Sequence, residues 1–197
     1  MANKVKYNLK NVHYAVMTGG NVDSQGKATY GTPVALPGAV NLSLDAQGGT
    51  NPFYADGIVY FTTIANNGYE GDLEVALLTD AFRKNVLGEV EDGNGVLIEK
   101  VDGSPVHFAL LFQFDGDAKG IYHCLYNCVA TRPTVAGQTQ EDTIDPNTET
   151  VTITATSIFD TTLNANVVKA RSSDDTSSTV TNGWFSNVPM PAAVVSA

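Results

Sequence analysis

Strict alternation of apolar and other side chains most limits what this chain can become. Val106, Phe108, Leu110, Phe112 and Phe114 are interleaved with His107, Ala109, Leu111 and Gln113, so an extended backbone carries an unbroken apolar row on one face. Val151, Ile153 and Ala155 alternate with Thr152, Thr154 and Thr156, which describes a strand with one polar face. Ile58 to Ile64 is a β-branched and aromatic run of the same kind. Asp102-Gly103-Ser104-Pro105 and Asp115-Gly116-Asp117 bracket the first of these strands with turn chemistry. Segments of this type, recurring between turn signals, specify a mainly β domain.

One stretch departs from the pattern. After strand-like Leu73 to Leu77, Thr79 can cap a short helix with Asp80 near its positive end, and Gly88 can close it in the left-handed conformation. Leu78, Phe82 and Val86 recur every four residues on one face. So short a stripe cannot hold a free helix in water, and the helix is expected to dock on the sheet.

Charge narrows the function classes. The chain holds 11 basic and 21 acidic residues, a net charge of -10. Residues 1–66 carry +1 and residues 67–197 carry -11, so the acidity lies downstream of the first third. Between Lys27 and Arg83 there is no lysine or arginine, while Asp45, Asp56, Glu70, Asp72, Glu74 and Asp80 fall inside that stretch. A surface built from it is neutral or negative and repels phosphate, because retention on DNA comes from cations that neutralise phosphates. The plainer reading, that acidity keeps a protein soluble, applies equally to an arbitrary acidic chain.

Met1 to Lys6 has positive residues but no apolar run after them, which argues against a secretory signal and for a soluble protein made in the cytosol. Cys124 and Cys128 fall in one apolar strand, Ile121 to Val129; in regular pairing they share a face about 13 Å apart, too far for a bridge or a common metal. Two buried free thiols are expected. His13, His107 and His123 are scattered, and the last two sit in apolar strands where a satisfied core histidine is the ordinary state. No nucleophile elbow, phosphate loop, HExxH or paired-cysteine zinc signature is present, so no catalytic residue, cofactor or metal site is assigned. Asp115-Gly116-Asp117 lacks the later ligands of a calcium loop and reads as a hairpin turn.

Four regions look unlike core: residues 1–12; Leu44 to Gly57, read as a long loop with Gly48-Gly49, Asn51-Pro52 and Asp56-Gly57; the polar stretch Thr134 to Thr150; and Arg171 to Thr181 with the apolar Trp184-Phe185 beyond it. A small monomer seldom needs so many extended connections.

Taken in order, Asn67-Gly68-Tyr69-Glu70-Gly71-Asp72-Leu73-Glu74, the short helix with Leu87-Gly88-Glu89, Phe108 to Phe112 with Asp115-Gly116-Asp117, Tyr126-Asn127-Cys128 and Arg132-Pro133 resemble the major tail protein of long, flexible-tailed bacteriophages, of the phi13 type. The similarity runs from about Tyr30 to Thr156 and weakly to Trp184-Phe185. It implies a single tail tube domain over 1–197: a mainly β, tail-tube-like β-sandwich or barrel with one short α-helix, an N-terminal arm (1–12), a long hairpin and loop (40–64) and a C-terminal extension (170–197).

The resemblance further implies a structural virion protein that polymerises as stacked hexameric rings into the tail tube, a conduit for DNA ejection. Partners would be other copies of itself, a tape measure protein and tail-end proteins. Double-stranded DNA would be met only in transit, with no specific nucleic-acid binding and no membrane insertion. The expected location is the virion tail, assembled in the host bacterial cytoplasm. Candidate residues are Asp45 and Asp56 facing the lumen; Gly48, Gly49, Asn51, Phe53 and Tyr54 between rings; and Glu70, Asp72, Glu74, Trp184 and Phe185 at subunit contacts. Turn chemistry explains Asp45 and Asp56 equally well, a solvated strand face explains the acidic trio, and a local apolar plug explains Phe53-Tyr54. The alternative function is a β-sandwich binding or decoration module of a phage particle, recognising a receptor or carbohydrate.

Overall fold

The computed structural model describes residues 3–19, 28–104, 106–139 and 146–193. The chain runs through β1 (Lys6–Gly19), β2 (Thr29–Tyr30), β3 (Val34–Ala35), β4 (Ala39–Gln47), β5 (Thr50–Ala55), β6 (Ile58–Ile64) and β7 (Gly68–Val75) to α1 (Asp80–Phe82), which continues as a π-helical turn over Arg83–Leu87. There follow β8 (Val90–Glu91), β9 (Leu97–Ile98), β10 (Phe108–Gly116), β11 (Ile121–Ala130), β12 (Glu149–Thr156), β13 (Ile158–Asp160), β14 (Ala165–Val167), β15 (Lys169–Arg171) and α2 (Ser178–Asn182). The fold is mainly β, as the alternation requires.

One antiparallel sheet dominates, in the order β2-β1-β10-β11-β12-β7-β4, with β15 also on β11 and β3 also on β1. Residues from both of its flanks, Leu9 and Val16 of β1 and Leu42 and Leu44 of β4, pack on a single core with Phe108, Leu110, Phe112, Leu73, Val75, Val151 and Ile153. The sheet is therefore curled around its own apolar face. Phe82 plugs this core, meeting Tyr14 edge-on at 5.1 Å and Phe108 at 6.0 Å. The helix has the expected ends: Thr79 Oγ1 accepts from Phe82 N at 3.3 Å, and Gly88 has φ 75° and ψ 21°. Leu78, Phe82 and Val86 are all buried. Glu149 fixes its position from β12, one carboxylate oxygen accepting from Leu78 N at 2.6 Å and the other from Arg83 Nη2 at 2.5 Å.

A second core lies on the opposite face of β1, β10 and β11, where Ala15, Ala109, Leu111, Cys124 and Tyr126 are covered by Ile158 and Trp184. The alternating set His107–Gln113, read only as spacers, thus supplies Ala109 and Leu111 to this layer. The segment 170–197, expected as an extension, is instead this covering layer over its described part. Tyr126 OH donates to Pro189 O at 2.8 Å and Trp184 Nε1 to His123 O at 3.2 Å. A short second helix, α2, with no buried residue, leads into Trp184 and was not expected.

Two further expectations are corrected. The N-terminal arm 1–12 is, from Lys6 onward, the first half of β1, paired with β10 from Lys6↔Gly116 to Val16↔Phe108. Its approach is tied to the β10–β11 turn, where Asn3 Oδ1 accepts from Ala118 N and Lys119 N, and Asp117 Oδ1 accepts from Lys4 N at 2.7 Å. Polarity misled because Asn8 and Asn11 occupy positive φ at register shifts that break the periodicity. Cys124 and Cys128 are free and buried as expected, but not on one face. Leu110 pairs with Leu125 and Phe108 with Cys128, so β11 spends one extra residue at Tyr126-Asn127, and this bulge sends Cys124 into the second core and Cys128 into the first.

Candidate assembly interface

The stretch 44–57, expected as a long loop, is strand. β4 pairs with β7 from Ala39↔Val75 to Gln47↔Gly68, and Asn67 N→Gln47 O and Ala65 N→Gly49 O, each 2.9 Å, carry the pairing outward to β5 and β6. Thr50↔Ile64 to Ala55↔Ile58 then leads to Asp56-Gly57, whose φ of 53° and 78° make the two-residue turn that an Asp-Gly pair favours. Residues 39–75 form one long antiparallel ribbon. Gly48 marks the junction, at φ 139°, where a Cβ would be driven into the Ala65 carbonyl. Pro52 fits because a two-stranded ribbon leaves half of each strand's N–H groups with no partner to lose.

The ribbon's root is covered on one face and its distal half on neither. In β5 and β6 every residue except Ala55 is exposed. Among them are Phe53, Tyr54, Ile58, Val59, Tyr60 at 70% and Ile64 at 82%. Phe53 stands opposite Phe61 across the pair. A lone two-stranded hairpin is marginal in water, and a large apolar patch rimmed by polar surface marks a site of contact. Sequence reading placed the β6 strand correctly without saying what covers it; periodicity cannot separate burial by the same chain from burial by another.

At the root, the outward face is polar, and the described residues that β4, β7 and β12 contribute to it include no lysine or arginine. Leu42, Leu44, Leu73, Val75, Val151, Ile153 and Ala155 turn to the core. Ser43, Asp72 and Thr152 therefore line up across the other face, as do Asp45, Glu70 and Thr154, and Asn41, Glu74 and Thr150. Thr152 Oγ1 donates to Asp72 Oδ1 at 2.8 Å, and Thr148 Oγ1 to Glu74 Oε1 at 2.6 Å. Nothing in the alternation of β12 alone showed that its threonines would flank the acidic trio; only the pairing order does. Among the described residues β4 pairs in the sheet with β7 alone, so its other edge presents backbone groups without a strand partner there, a template for another strand.

The candidate residues therefore separate. Asp45 joins Glu70, Asp72 and Glu74 on the acidic face. Asp56 is remote from them in the terminal turn, so the two aspartates do not share a surface. Gly48 and Gly49 form the junction, and Asn51, Phe53 and Tyr54 lie in paired β5. Trp184, 4% exposed, is spent within the second core, which removes it as a subunit contact. Phe185 is half-buried, stacked on His13 at 4.7 Å and tilted against Tyr122.

The histidines and turn carboxylates are committed locally. His123 stacks on Phe112 at 4.9 Å, and burial, then Arg171, Lys169 and Lys6, lower its pKa to about 4. His107 Nδ1 lies 2.6 Å from Asn127 Oδ1. Asp115 is held by Lys10 and Asn8, which keep its carboxyl below the usual range. No group of three or more His, Cys, Asp or Glu among the described residues is placed to hold a metal ion, and no described helix is long and apolar enough to cross a membrane. In comparisons with known proteins, no family model and no curated protein matches the chain.

Proposed function

We propose that this protein is a structural subunit of a phage tail tube, polymerising as stacked hexameric rings around a bore through which DNA passes. The observation that carries this reading is the ribbon 39–75, whose distal half exposes a two-stranded apolar surface that the chain itself leaves uncovered. A second copy supplies the missing cover. The open edge of β4 supports lateral joining, since closing strands around a ring satisfies backbone groups that a monomer leaves to water.

The cation-free face of β4, β7 and β12 is the wall offered to DNA. Carboxylates and threonines there give a polyanion nothing to release counterions against, so it slides without sticking. Salt limits the repulsion to about 10 Å, a range comparable to the gap between duplex and wall in a narrow tube. A tape measure protein, tail-end proteins and residence in the virion tail after assembly in the bacterial cytoplasm belong to the same proposal. Concentrated purified protein viewed by negative-stain microscopy is expected to show rings or tubes; dispersed globules at every concentration would end the reading.

A further inference from the structure

Resting on that reading, we propose that the ribbon tip of one copy docks end-to-end into a cleft at the helix end of the next, with Asp56 paired to Lys100. β7 reaches Val75 immediately before α1, and β4 pairs with it antiparallel, so the ribbon leaves the body at the end opposite the helix. At the helix end there is an open cleft of about 490 Å³ lined by Val86, Leu87, Lys100, Val101, Ala130 and Arg132 among others. Tip and cleft thus sit at opposite ends of the same strand direction, the arrangement that lets identical copies repeat along a line. Such a contact is heterologous and does not close on itself; it propagates as a filament.

The chemistry of the two ends matches. Asp56 is the one charged residue between Asp45 and Glu70, and it stands at the apex between exposed Tyr54 and Ile58. In the cleft, Arg132 is tied to Glu99, whereas no ion pair joins Lys100, or Asp56, to any described residue. Val101 beside Lys100 is fully exposed, and Leu87 is part of the cleft lining. An apolar tip bearing one anion therefore faces a cleft of mixed polarity, with Glu99, Ser104 and Thr131 also in its lining, that bears one uncommitted cation.

The test is a charge cycle read by tube growth. Asp56→Asn suits the positive φ of the turn and removes only the charge. It is expected to raise the concentration needed for tube growth by about fivefold, the upper range of an exposed ion pair. Lys100→Glu should do worse than Lys100→Gln when Asp56 is present and equal it when Asp56→Asn is present. Additive effects would overturn the pairing. As a second measurement, Asp56→Cys with Lys100→Cys, treated with a short bis-maleimide, should give a ladder of covalent oligomers, because the native thiols are buried. Each single cysteine variant should stop at dimers. Wild-type tubes without a ladder from the double variant would sink this docking and leave the tube reading standing; no tubes from the wild type would sink both.

Discussion

Asp45 stands directly opposite Glu70 across the β4–β7 pair, two carboxylates on one sheet face that no described lysine or arginine joins in an ion pair. Like charges in that relationship destabilise a sheet. Asp45→Asn is therefore expected to stabilise the isolated subunit by about 0.5 kcal/mol, read as a higher denaturant midpoint. No gain would mean that the pair is already relieved in the free protein.

If this face lines the bore, turning it cationic has a separate consequence. Asp45→Lys with Asp72→Lys is expected to leave tubes visible by microscopy while slowing DNA delivery from particles that carry them. Normal delivery would remove this face from the lumen.

The distal ribbon contributes to assembly and little to the fold. Phe53→Ser with Phe61→Ser should change subunit stability by no more than about 0.5 kcal/mol per site, since both rings are exposed. Tube formation, followed by sedimentation, should be lost. A large drop in unfolding midpoint would show that the ribbon is part of the cooperative unit instead.

Phe82 is the reverse case. Its ring is fully buried between Tyr14 and Phe108. Phe82→Ala should cost about 3–5 kcal/mol, enough to unfold a marginal domain. Retained cooperative melting near the wild-type midpoint would contradict the helix's place in the core.

His123 gives a pH signature. Its folded-state value of about 4 lies below the ordinary 6.5, so between those values the unfolded chain binds the proton that the folded one refuses. Stability should rise with pH across that window and level off above it. In His123→Phe the slope between pH 4 and 6.5 should flatten relative to wild type; an unchanged slope would assign it to other groups.

The body of the fold was legible because its signals are local and periodic. The β10 row, the β12 alternation and the Thr79 to Gly88 helix all fell where the residues placed them, since each is decided by neighbours within a few positions. Interruptions were not legible. The bulge at Tyr126-Asn127 and the register shifts in β1 depend on the partner strand, which sequence spacing does not show. The ribbon was half-read: Asp56-Gly57 announced a turn, yet Gly48, Gly49, Asn51 and Pro52 outvoted the pairing that β6 imposes. Trp184 was named as a subunit contact because nothing near it in sequence names the sheet face of its own chain that it covers.

The bulge in β11 has a consequence for how this chain can vary. Losing one residue at Tyr126 or Asn127 would remove the bulge and leave Cys128 opposite Phe108, but a residue gained or lost elsewhere in the strand would send every downstream side chain to the other face, carrying Cys128 out of one core and Val129 into it. Length changes among homologous chains should therefore gather in the 131–148 connection or fall on the bulge itself, and spare the regular stretches of this strand, where a single codon gained or lost exchanges the two cores.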